Sequence, residues 1–281
     1  MDQIGIMTEA ERQQAAEWAA AEGWNPGAQD MDCFARVDPE GFFAARREGE
    51  MIASISVVNY GADFSFLGFY IVHPGWRGQG HGLRLWQAAL DHAGDRVVGL
   101  DGVVDQQANY QRSGFDLAYR NIRFGGVPQP EELGGAAGLE VLAAADPFDA
   151  LERLDARVFP AARTGFWQGW LAAPGHRSAA AFDGATLAGF GTIRACRSGY
   201  KIGPLVARDL GAARAVLGDL LKDLPAGAEV FLDVPEPNVE AVLMARQLGL
   251  APVFETARMY RGPAPKLDID RIWGVTTFEL G

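Results

Sequence analysis

A weak internal repeat constrains this chain more than any other feature of its sequence. Residues recur in one register at a step of 135 positions, and each recurrence falls in the same kind of predicted element. Single matches between glycines arise by chance, because the chain contains 35 of them, but four pairs in one register indicate a duplicated fold. The four pairs are Gly49 with Gly184, Gly68 with Gly203, Gly114 with Gly249, and Arg123 with Arg258.

The chain length agrees with two copies of one fold. The chain has 281 residues, which is enough for two domains of about 140 residues each. Between the copies, residues 125–139 are rich in glycine and proline and show no apolar periodicity. We therefore predict a first domain over residues 1–127, a linker over residues 128–140 and a second domain over residues 141–281.

Apolar patterns predict the same order of elements in each half: a helix, strands in a meander, then helix, strand, helix and strand. Thr8 and Glu11 form a capping-box pattern that opens the first helix. Asp146 and Pro147 have the pattern of a helix start in the second half. Residues 64–72 are apolar on both faces, as expected of a central strand. The fold class is therefore α+β, with a mixed, mainly antiparallel sheet flanked by helices in each half. One further helix is predicted from the spacing of Leu83, Trp86 and Leu90.

Composition excludes several classes of protein and partner. Hydrophobic residues make up 48% and charged residues 22%, which is typical of a globular chain rather than a disordered one. The net charge of −11 leaves no basic surface for nucleic acid, and no apolar run approaches about 18 residues, so we expect no membrane span. Cys33 and Cys196 stand alone, which favours a reducing cytoplasm. The four histidines have no metal-ligand spacing, so we expect no metal.

One segment, residues 66–83, carries the clearest chemical signal. A buried strand runs into a glycine-rich loop that opens a helix, and the loop contains Arg77, Gly78, Gly80 and Gly82. A helix start offers unpaired backbone N–H groups and the positive end of the helix dipole, so this arrangement suits a phosphate or pyrophosphate. The segment matches neither the P-loop pattern nor the dinucleotide fingerprint. An ordinary turn that caps a helix is the alternative.

The pattern Arg-x-x-Gly-x-Gly at Arg77, Gly80 and Gly82 resembles the acyl-CoA loop of GNAT-type N-acetyltransferases. Residues 109–115 (NYQRSGF) are similar to the Tyr-x-x-x-Gly-Phe segment of that family. This likeness covers roughly residues 3–126. The sequences at the end of the second half look like the degenerate C-terminal domain of tandem members. The chain therefore resembles a tandem GNAT protein.

The resemblance implies that acetyl-CoA is the co-substrate and that no metal takes part. Pantetheine would lie like an extra strand where the strands ending near Val72 and Leu100 separate. A backbone N–H near Val72 would polarise the thioester carbonyl, and Tyr110 is placed like the general acid of the family. The residues expected to bind the cofactor are Tyr70, Ile71, Val72, Arg77, Gly78, Gln79, Gly80, His81, Gly82, Asn109 and Arg112.

The resemblance also implies direct attack by an amine acceptor in a ternary complex. Family members often bind the acceptor after the first helix, where this chain has Trp24, Asp30 and Asp32. The acidic net charge favours a cationic small molecule as the acceptor. The acceptor amine must be neutral to attack, but the sequence shows no identifiable base. A homodimer is left open as the assembly.

Several alternatives stay open at this stage. Tyr110 could instead be a core tyrosine whose hydroxyl binds the backbone. Asp30 and Asp32 could instead be solvated surface charges. A wider pocket beyond Val72 would permit transfer of a longer acyl group. Outside the enzymes, the alternative is a non-catalytic CoA-binding or assembly protein that uses the second half as a partner surface.

The second half lacks the chemical signature of the first. At the step of 135 positions, residues 77–82 fall on residues 212–217, an alanine-rich helical stretch, and Tyr110 falls on Ala245. Neither a phosphate loop nor a proton donor is kept there. We therefore expect one CoA site per chain and a second domain that shapes the acceptor site or serves in packing.

Overall fold

A computed structural model describes residues 2–133, 139–143 and 148–281. The predicted linker over residues 128–140 is described only in part, and the predicted helix start at Asp146 and Pro147 lies outside the described residues. In the first half, the elements are β1 (Gln3–Ile6), α1 (Glu9–Ala21), α2 (Asp30–Ala35), β2 (Phe42–Arg47), β3 (Glu50–Tyr60), β4 (Phe64–Val72), α3 (His81–Ala93), β5 (Val97–Val103), α4 (Gln107–Arg112) and β6 (Asp116–Gly126). In the second half, they are β7 (Glu140–Ala143), α5 (Phe148–Asp155), α6 (Thr164–Ala172), β8 (His176–Asp183), β9 (Thr186–Ala195), β10 (Tyr200–Ala207), α7 (Leu210–Leu221), β11 (Val230–Pro235), α8 (Val239–Gln247), β12 (Ala251–Arg261) and β13 (Ile272–Gly274).

Local signals set several element ends as the sequence predicts. The Thr8 hydroxyl accepts a hydrogen bond from the Glu11 backbone N–H at 3.3 Å, and the Glu11 carboxylate accepts one from the Thr8 N–H at 2.8 Å. This reciprocal pair is a capping box at the start of α1. Gly114 follows the end of α4 with a φ of +86°, a conformation that glycine adopts without strain. The central strand predicted over residues 64–72 is β4.

The buried face of α3 differs from the predicted apolar stripe. Leu85, Trp86 and Ala89 are buried against the sheet, whereas Leu83 keeps 71% of its surface exposed. Helical spacing groups Leu83 with Trp86 and Leu90, but the sheet meets α3 along a neighbouring face. The exposed Leu83 side chain instead lines a cleft beside the start of α3.

The strands form one mixed sheet. Their order is β1-β2-β3-β4-β5-β12-β6-β11-β10-β9-β8-β7, with β13 paired to β10. Among the strands that the structure describes, pairs are antiparallel except for two parallel pairs, β4 with β5 and β10 with β11. Helix α3 packs on β2, β3 and β4, and helix α7 packs on β8, β9 and β10. The predicted α+β fold with two similar halves is confirmed.

The two halves exchange their last long strands. β12 of the second half lies between β5 and β6, and β6 of the first half pairs with β11. Each exchanged strand carries a repeat-related arginine that forms a buried ion pair with an aspartate of the other half. Arg258 binds Asp101 at 2.6 and 2.9 Å, and Arg123 binds Asp233 at 2.6 and 2.8 Å. Each half of the sheet therefore contains a strand from the other half of the sequence.

An aromatic cluster joins α2 of the first half to α6 of the second. The ring centroid of Phe34 lies 4.9 Å from that of Phe166 and 6.1 Å from that of Trp170. Trp167 and Trp170 are fully buried. Aromatic side chains bury about 150–250 Å² each, so this cluster fixes the two halves against each other.

Candidate active site

A cleft opens in the first half where two parallel strands separate. β4 and β5 pair with each other as far as Leu67 and Leu100. Beyond these residues β4 continues to Val72 and β5 continues to Val103, but the two strands no longer pair with each other. The gap between them leads into a cleft of about 460 Å³ beside the start of α3. Eight of the eleven predicted cofactor contacts line this cleft, namely Tyr70, Ile71, Val72, Arg77, Gly78, Gly80, His81 and Gly82.

The start of α3 carries no side-chain cap from the described residues. Gly80 is the N-cap residue with a φ of +82°, and Gly78 has a φ of +74°. A Cβ at either position would meet no described atom within 4 Å, so backbone conformation rather than crowding requires glycine there. An uncapped helix start at the mouth of a cleft is a favourable position for an anion.

Arg77 and His81 flank this helix start. The Arg77 Nε donates to the Val72 carbonyl at 2.8 Å, and its guanidinium also binds Glu22 at 2.5 Å in an exposed ion pair. Exposed ion pairs contribute little, so Arg77 can exchange Glu22 for a phosphate. The His81 ring is buried and its Nδ1 binds the Asp2 carboxylate at 2.5 Å. The hydrogen bond to Asp2 therefore fixes the orientation of the His81 imidazole.

Gly82 allows a close approach that no other residue would permit. A Cβ on Gly82 would lie 2.4 Å from the Tyr70 hydroxyl oxygen. The Tyr70 ring contacts Trp86 at 5.3 Å between centroids, and Trp86 stacks on Tyr110 at 5.7 Å. The glycine loop, β4 and α4 are thus joined by one row of aromatic rings along the cleft.

Strand β4 contains a bulge that faces the gap. Its pairing with β3 is interrupted between Gly68 and Ile71. Phe69, inside the interruption, has a φ of +47°, which is uncommon for a residue other than glycine. The Ser54 hydroxyl donates to the Phe69 carbonyl at 2.8 Å and holds this conformation. Strained backbone of this kind concentrates at functional sites.

Tyr110 lies where the cleft narrows. Its ring packs over Gly102, because a Cβ on Gly102 would lie 2.3 Å from a Tyr110 ring carbon. Burial raises the pKa of Tyr110 to about 12. The hydroxyl therefore keeps its proton at neutral pH and is a weaker acid than a solvated tyrosine.

The remaining predicted cofactor contacts do not line the cleft in the part of the chain that the structure describes. Asn109 binds Gln106 and Arg112 through its side-chain amide on the exposed face of α4. Gln79 is exposed and donates to the Gly75 carbonyl at 3.2 Å. Contacts between these residues and CoA stay predictions.

A smaller inner pocket continues the cleft towards the second half. It measures about 40 Å³ and shares Trp24, Tyr70, Val103 and Tyr110 with the cleft. By volume it would hold a few water molecules or a compact chemical group. Its far wall comes from the second half of the sequence, through Phe254, Thr256, Phe278 and Glu279.

The three predicted acceptor residues are placed differently. Trp24 lines both cavities. Asp30 lines neither cavity, because it is buried and both its carboxylate oxygens accept hydrogen bonds from Arg194 at 2.6 and 3.0 Å. Burial acts to raise the pKa of Asp30, but Arg194 outweighs it and the pKa is lowered. Asp32 is exposed and lines neither cavity. Asp30 is paired with Arg194 and both aspartates lie outside the two cavities, so an acceptor role for Asp30 and Asp32 stays a prediction.

Sequence reasoning missed the wall that the second half supplies. Phe254 and Thr256 reach the pocket because β12 is exchanged into the first half, and local sequence patterns carry no signal for such an exchange. Glu279 did carry a signal, because it is the single charged residue in the segment 273–281 (WGVTTFELG). A lone carboxylate in an apolar segment indicates either a surface position or a buried functional group.

In the second half, residues of the chain occupy the positions that correspond to the uncapped helix start and the strand gap. Asp209 caps α7, and its carboxylate accepts a hydrogen bond from the Ala212 N–H at 2.9 Å. β10 and β11 pair only as far as Ile202 and Leu232, and β13 then pairs with β10 in the gap. The Val275 N–H donates to the Asp233 carbonyl on β11 at 2.8 Å. A carboxylate and a strand thus occupy the places that are open in the first half.

Among the described residues, neither a metal-binding group nor a membrane-spanning helix is present. Within residues 2–133, 139–143 and 148–281, no group of three or more His, Cys, Asp or Glu side chains is arranged to hold a metal ion. The helices that the structure describes include none that is long and apolar enough to cross a membrane. Cys33 and Cys196 are free thiols.

The sequence matches known families in both halves. Residues 6–115 match the model of the acetyltransferase (GNAT) family, and residues 151–274 match that of an acetyltransferase (GNAT) domain. The chain is similar to the holothin acyltransferase of Pseudoalteromonas sp. (strain SANK 73390), with 32% identity over 265 residues. That match covers 94% of this chain and 90% of the relative.

Solved structures with the same fold include a tandem GNAT protein. A protein described as an acetyltransferase from Pyrococcus horikoshii superposes with a TM-score of 0.83 at 19% identity, over 100% of this chain and 96% of its own. A tandem GNAT protein from the clavulanic acid biosynthesis pathway superposes with a TM-score of 0.66 at 18% identity, over 94% of this chain and 100% of its own. At these identities the likeness concerns the fold.

Proposed function

The chain belongs to the GNAT family of acyltransferases, with two GNAT domains in tandem, and on this premise we propose that it moves an acetyl group from acetyl-CoA to the amine of a small-molecule acceptor. One observation carries the proposal: the strand gap and helix start are open in the first half and closed by β13 and Asp209 in the second. We assign one acetyl-CoA to each chain, in the domain over residues 1–127, with residues 141–281 as the second domain.

Two features of the cleft support CoA as its ligand. The pyrophosphate is assigned to the uncapped start of α3, where Gly78 and Gly80 keep the backbone accessible and Arg77 supplies a positive charge. The pantetheine arm is assigned to the gap between β4 and β5. The equivalent gap in the second half holds the extended chain of β13, which supports an extended ligand in the first.

The bulge of β4 supplies the electrophilic part of the site. Interrupted pairing between Gly68 and Ile71 leaves backbone N–H groups of this stretch available to the thioester carbonyl. Attack by the amine turns that carbonyl into an oxyanion, and a fixed N–H stabilises the developing charge. Loss of one such donor lowers the rate by about 100- to 1000-fold in other enzymes.

Tyr110 is assigned to the departing thiolate. A tyrosine with a pKa of about 12 holds its proton more tightly than a thiol with a pKa of about 8.5. Full transfer of the proton to the thiolate is therefore uphill by about 4–5 kcal/mol. Tyr110 then acts chiefly by a hydrogen bond to the sulfur as the carbon–sulfur bond breaks, which places its contribution at the low end of general-acid catalysis.

The acceptor and the acyl chain are the finer parts of the proposal. The relative at 32% identity is by its name an acyltransferase that acts on holothin, so holothin is the first acceptor to test. An inner pocket of about 40 Å³ favours acetyl over a longer acyl group. Asp30 makes no contribution to acceptor binding in this scheme.

Release of free thiol from acetyl-CoA tests the function. We expect release that requires both acetyl-CoA and an amine, with an equal amount of amide detected by mass spectrometry. Donors with longer acyl chains should react more slowly, because the inner pocket is small. Binding of CoA with no amine-dependent release across a broad acceptor panel would instead support a non-catalytic CoA-binding protein.

A further inference from the structure

Near the inner pocket, two buried residues of opposite charge lie close together without a hydrogen bond between them. Lys201 on β10 and Glu279 are both buried, at 0% and 3% exposure, but the Lys201 Nζ lies 4.0 Å from the nearest Glu279 oxygen. Two neighbouring pairs are closed by hydrogen bonds of 2.6–3.0 Å. The closed pairs are Arg123 with Asp233 and Arg194 with Asp30.

Both members of the Lys201–Glu279 pair lack hydrogen bonds. The two carboxylate oxygens of Glu279 have no hydrogen-bond partner among the residues that the structure describes. The Nζ of Lys201 has none there either. A buried polar group without a partner costs about 1–3 kcal/mol, and a charged one costs more. Such groups are rare in native proteins. Glu279 also lines the inner pocket, and both of its carboxylate oxygens are shielded from solvent.

The other carboxylates of the two cavities are already engaged. Asp101 lines the inner pocket, but its oxygens accept hydrogen bonds from Arg258 at 2.6 and 2.9 Å and from Asn121 at 2.8 Å. Glu22 lines the outer cleft and binds Arg77 there. Of the described carboxylates lining the cavities, Glu279 is the one without a hydrogen-bonding partner.

We infer that Glu279 is the base that takes a proton from the ammonium group of the acceptor, an inference that rests on the proposed function. The carboxylate attracts the cationic nitrogen of the acceptor to the inner pocket, where the nitrogen meets the acetyl group, and Trp24, Phe254 and Phe278 are the aromatic side chains that line this pocket. The acceptor class is therefore an amine that is protonated in solution.

The proton balance of the reaction is complete with this base. The ammonium R–NH3+ gives one proton to Glu279 and becomes R–NH2. The nitrogen lone pair forms the new carbon–nitrogen bond, and the thioester carbonyl becomes an oxyanion. When the oxyanion collapses, the carbon–sulfur bond breaks and the sulfur leaves as a thiolate. The second nitrogen proton passes to the thiolate beside Tyr110, which gives the amide and CoA thiol. Glu279 then releases its proton to solvent.

The electrostatic surroundings suit a base. Burial raises the pKa of Glu279 above its usual value, although the nearby lysine and arginines act to lower it. A carboxylate with a raised pKa binds a proton more strongly and is a better base near neutral pH. The charged groups that face Glu279 are Lys201 on β10, Arg123 on β6, Arg194 on β9, Asp30 on α2 and Asp233 on β11.

The test compares wild type with Glu279→Gln, which keeps size and removes the proton acceptor. We measure amine-dependent thiol release from about pH 6 to about pH 10, and CoA affinity by calorimetry. At neutral pH, kcat/KM should fall by about 100-fold or more. The deficit should shrink as pH rises, because solution then supplies neutral amine. CoA affinity should stay within about twofold, since Glu279 lies beyond the cleft assigned to CoA.

The variant Lys201→Met gives a second readout that a merely structural role would not move. Without the lysine charge, the pKa of Glu279 rises further, so the acidic limb of the kcat/KM profile should move to higher pH. Glu236→Gln, which alters an exposed carboxylate bound to Arg120, is the control and should leave rate and profile unchanged.

Four results separate the possible failures. An active wild type with Glu279→Gln retaining more than about a third of kcat/KM at neutral pH would overturn the base assignment alone. A deficit equal at every pH, or an unmoved acidic limb in Lys201→Met, would do the same. A wild type that binds CoA but releases no thiol with any amine would overturn the proposed function and the base together.

Discussion

The backbone carbonyl oxygen of Glu279 lies where a side chain on Gly68 would begin: a Cβ built on Gly68 would come within 1.6 Å of it. The repeat partner of Gly68 has a similar relationship to the same segment. A Cβ on Gly203 would lie 2.3 Å from the Val275 carbonyl oxygen. The Tyr60 hydroxyl also donates to the Leu280 carbonyl at 2.8 Å. Residues 275–281 are thus seated on both halves of the sheet, and Gly68 positions Glu279 beside the β4 bulge.

Gly68→Ala should therefore disturb the site through the segment 275–281. The added methyl group must push the Glu279 backbone away, and overpacking of this kind costs about 1–3 kcal/mol in the free energy of unfolding. We expect kcat/KM to fall by about tenfold or more, because Glu279 moves relative to the thioester. Denaturant unfolding and steady-state thiol release measure the two effects.

Gly218→Ala is the matched control for this substitution. Gly218 lies inside α7, and a Cβ there would meet no described atom within 4 Å. Alanine in a helix interior is favoured over glycine by about 1 kcal/mol, so stability should stay equal or rise, with activity unchanged. Full activity in Gly68→Ala would show that the position of Glu279 is not critical.

Sequence alone predicted the parts of the site that depend on local chemistry. Gly80 is needed for its positive φ, and the capping box at Thr8 is a local hydrogen-bond pattern, so both can be read from neighbours in the chain. The pairing of β12 with β5 depends on contacts between residues more than 150 positions apart. Strand periodicity indicates that β12 is a strand but not which strand it joins. Phe254, which lies on β12, was missed for this reason.

Asp30 shows how a tertiary partner adds what a local pattern does not contain. Its position after the first helix matched the acceptor region of the family, but the tertiary structure pairs it with Arg194, which is 164 positions away. Leu83 is similar, because helical periodicity predicts a stripe and only the sheet decides which side of the stripe is buried. A local sequence pattern identifies a candidate residue, whereas the residues that it contacts in the folded structure determine its role.

Tyr110→Phe should reduce turnover with little effect on binding. The phenylalanine ring keeps the packing over Gly102 and against Trp86 and removes only the hydroxyl. A general acid contributes about 100- to 10,000-fold in rate. Because the pKa of Tyr110 is raised, we expect the rate to fall by about 100-fold. The loss should appear in kcat, with CoA affinity nearly unchanged.

The comparison of acyl donors adds a control for Tyr110. Donors whose thiol has a lower pKa need less help to leave, so the difference between wild type and Tyr110→Phe should shrink with them. If the variant keeps more than about a third of the wild-type kcat with chemistry rate-limiting, then Tyr110 serves in packing and does not stabilise the departing thiolate.

The strand exchange predicts that the first half does not fold alone. A fragment of residues 1–127 lacks β12, which lies between β5 and β6, and leaves Asp101 buried without Arg258. Breaking a buried ion pair costs about 3–5 kcal/mol, in addition to the lost pairing on both strands. Circular dichroism of the fragment should show no cooperative unfolding transition.

A split chain provides the control for this prediction. When the backbone is interrupted within residues 128–140 and both pieces are produced together, β6 and β12 can still exchange. The pieces should then copurify as one complex with wild-type CoA affinity. A fragment of residues 1–127 that unfolds cooperatively and binds CoA by itself would contradict the structural role of the exchange.

Calorimetric titration with CoA tests the central claim that the single active centre is the open cleft of the first half. We predict one site per chain in wild type. Gly80→Asp adds a negative charge at the uncapped start of α3, so affinity should fall by about tenfold or more, which corresponds to about 1.4 kcal/mol. Gly227→Asp is the matched control, because Gly227 also has a positive φ, +78°, with no described atom within 4 Å of a Cβ. It should bind CoA as wild type does. Two sites of comparable affinity, or an unchanged affinity in a folded Gly80→Asp variant, would contradict the account.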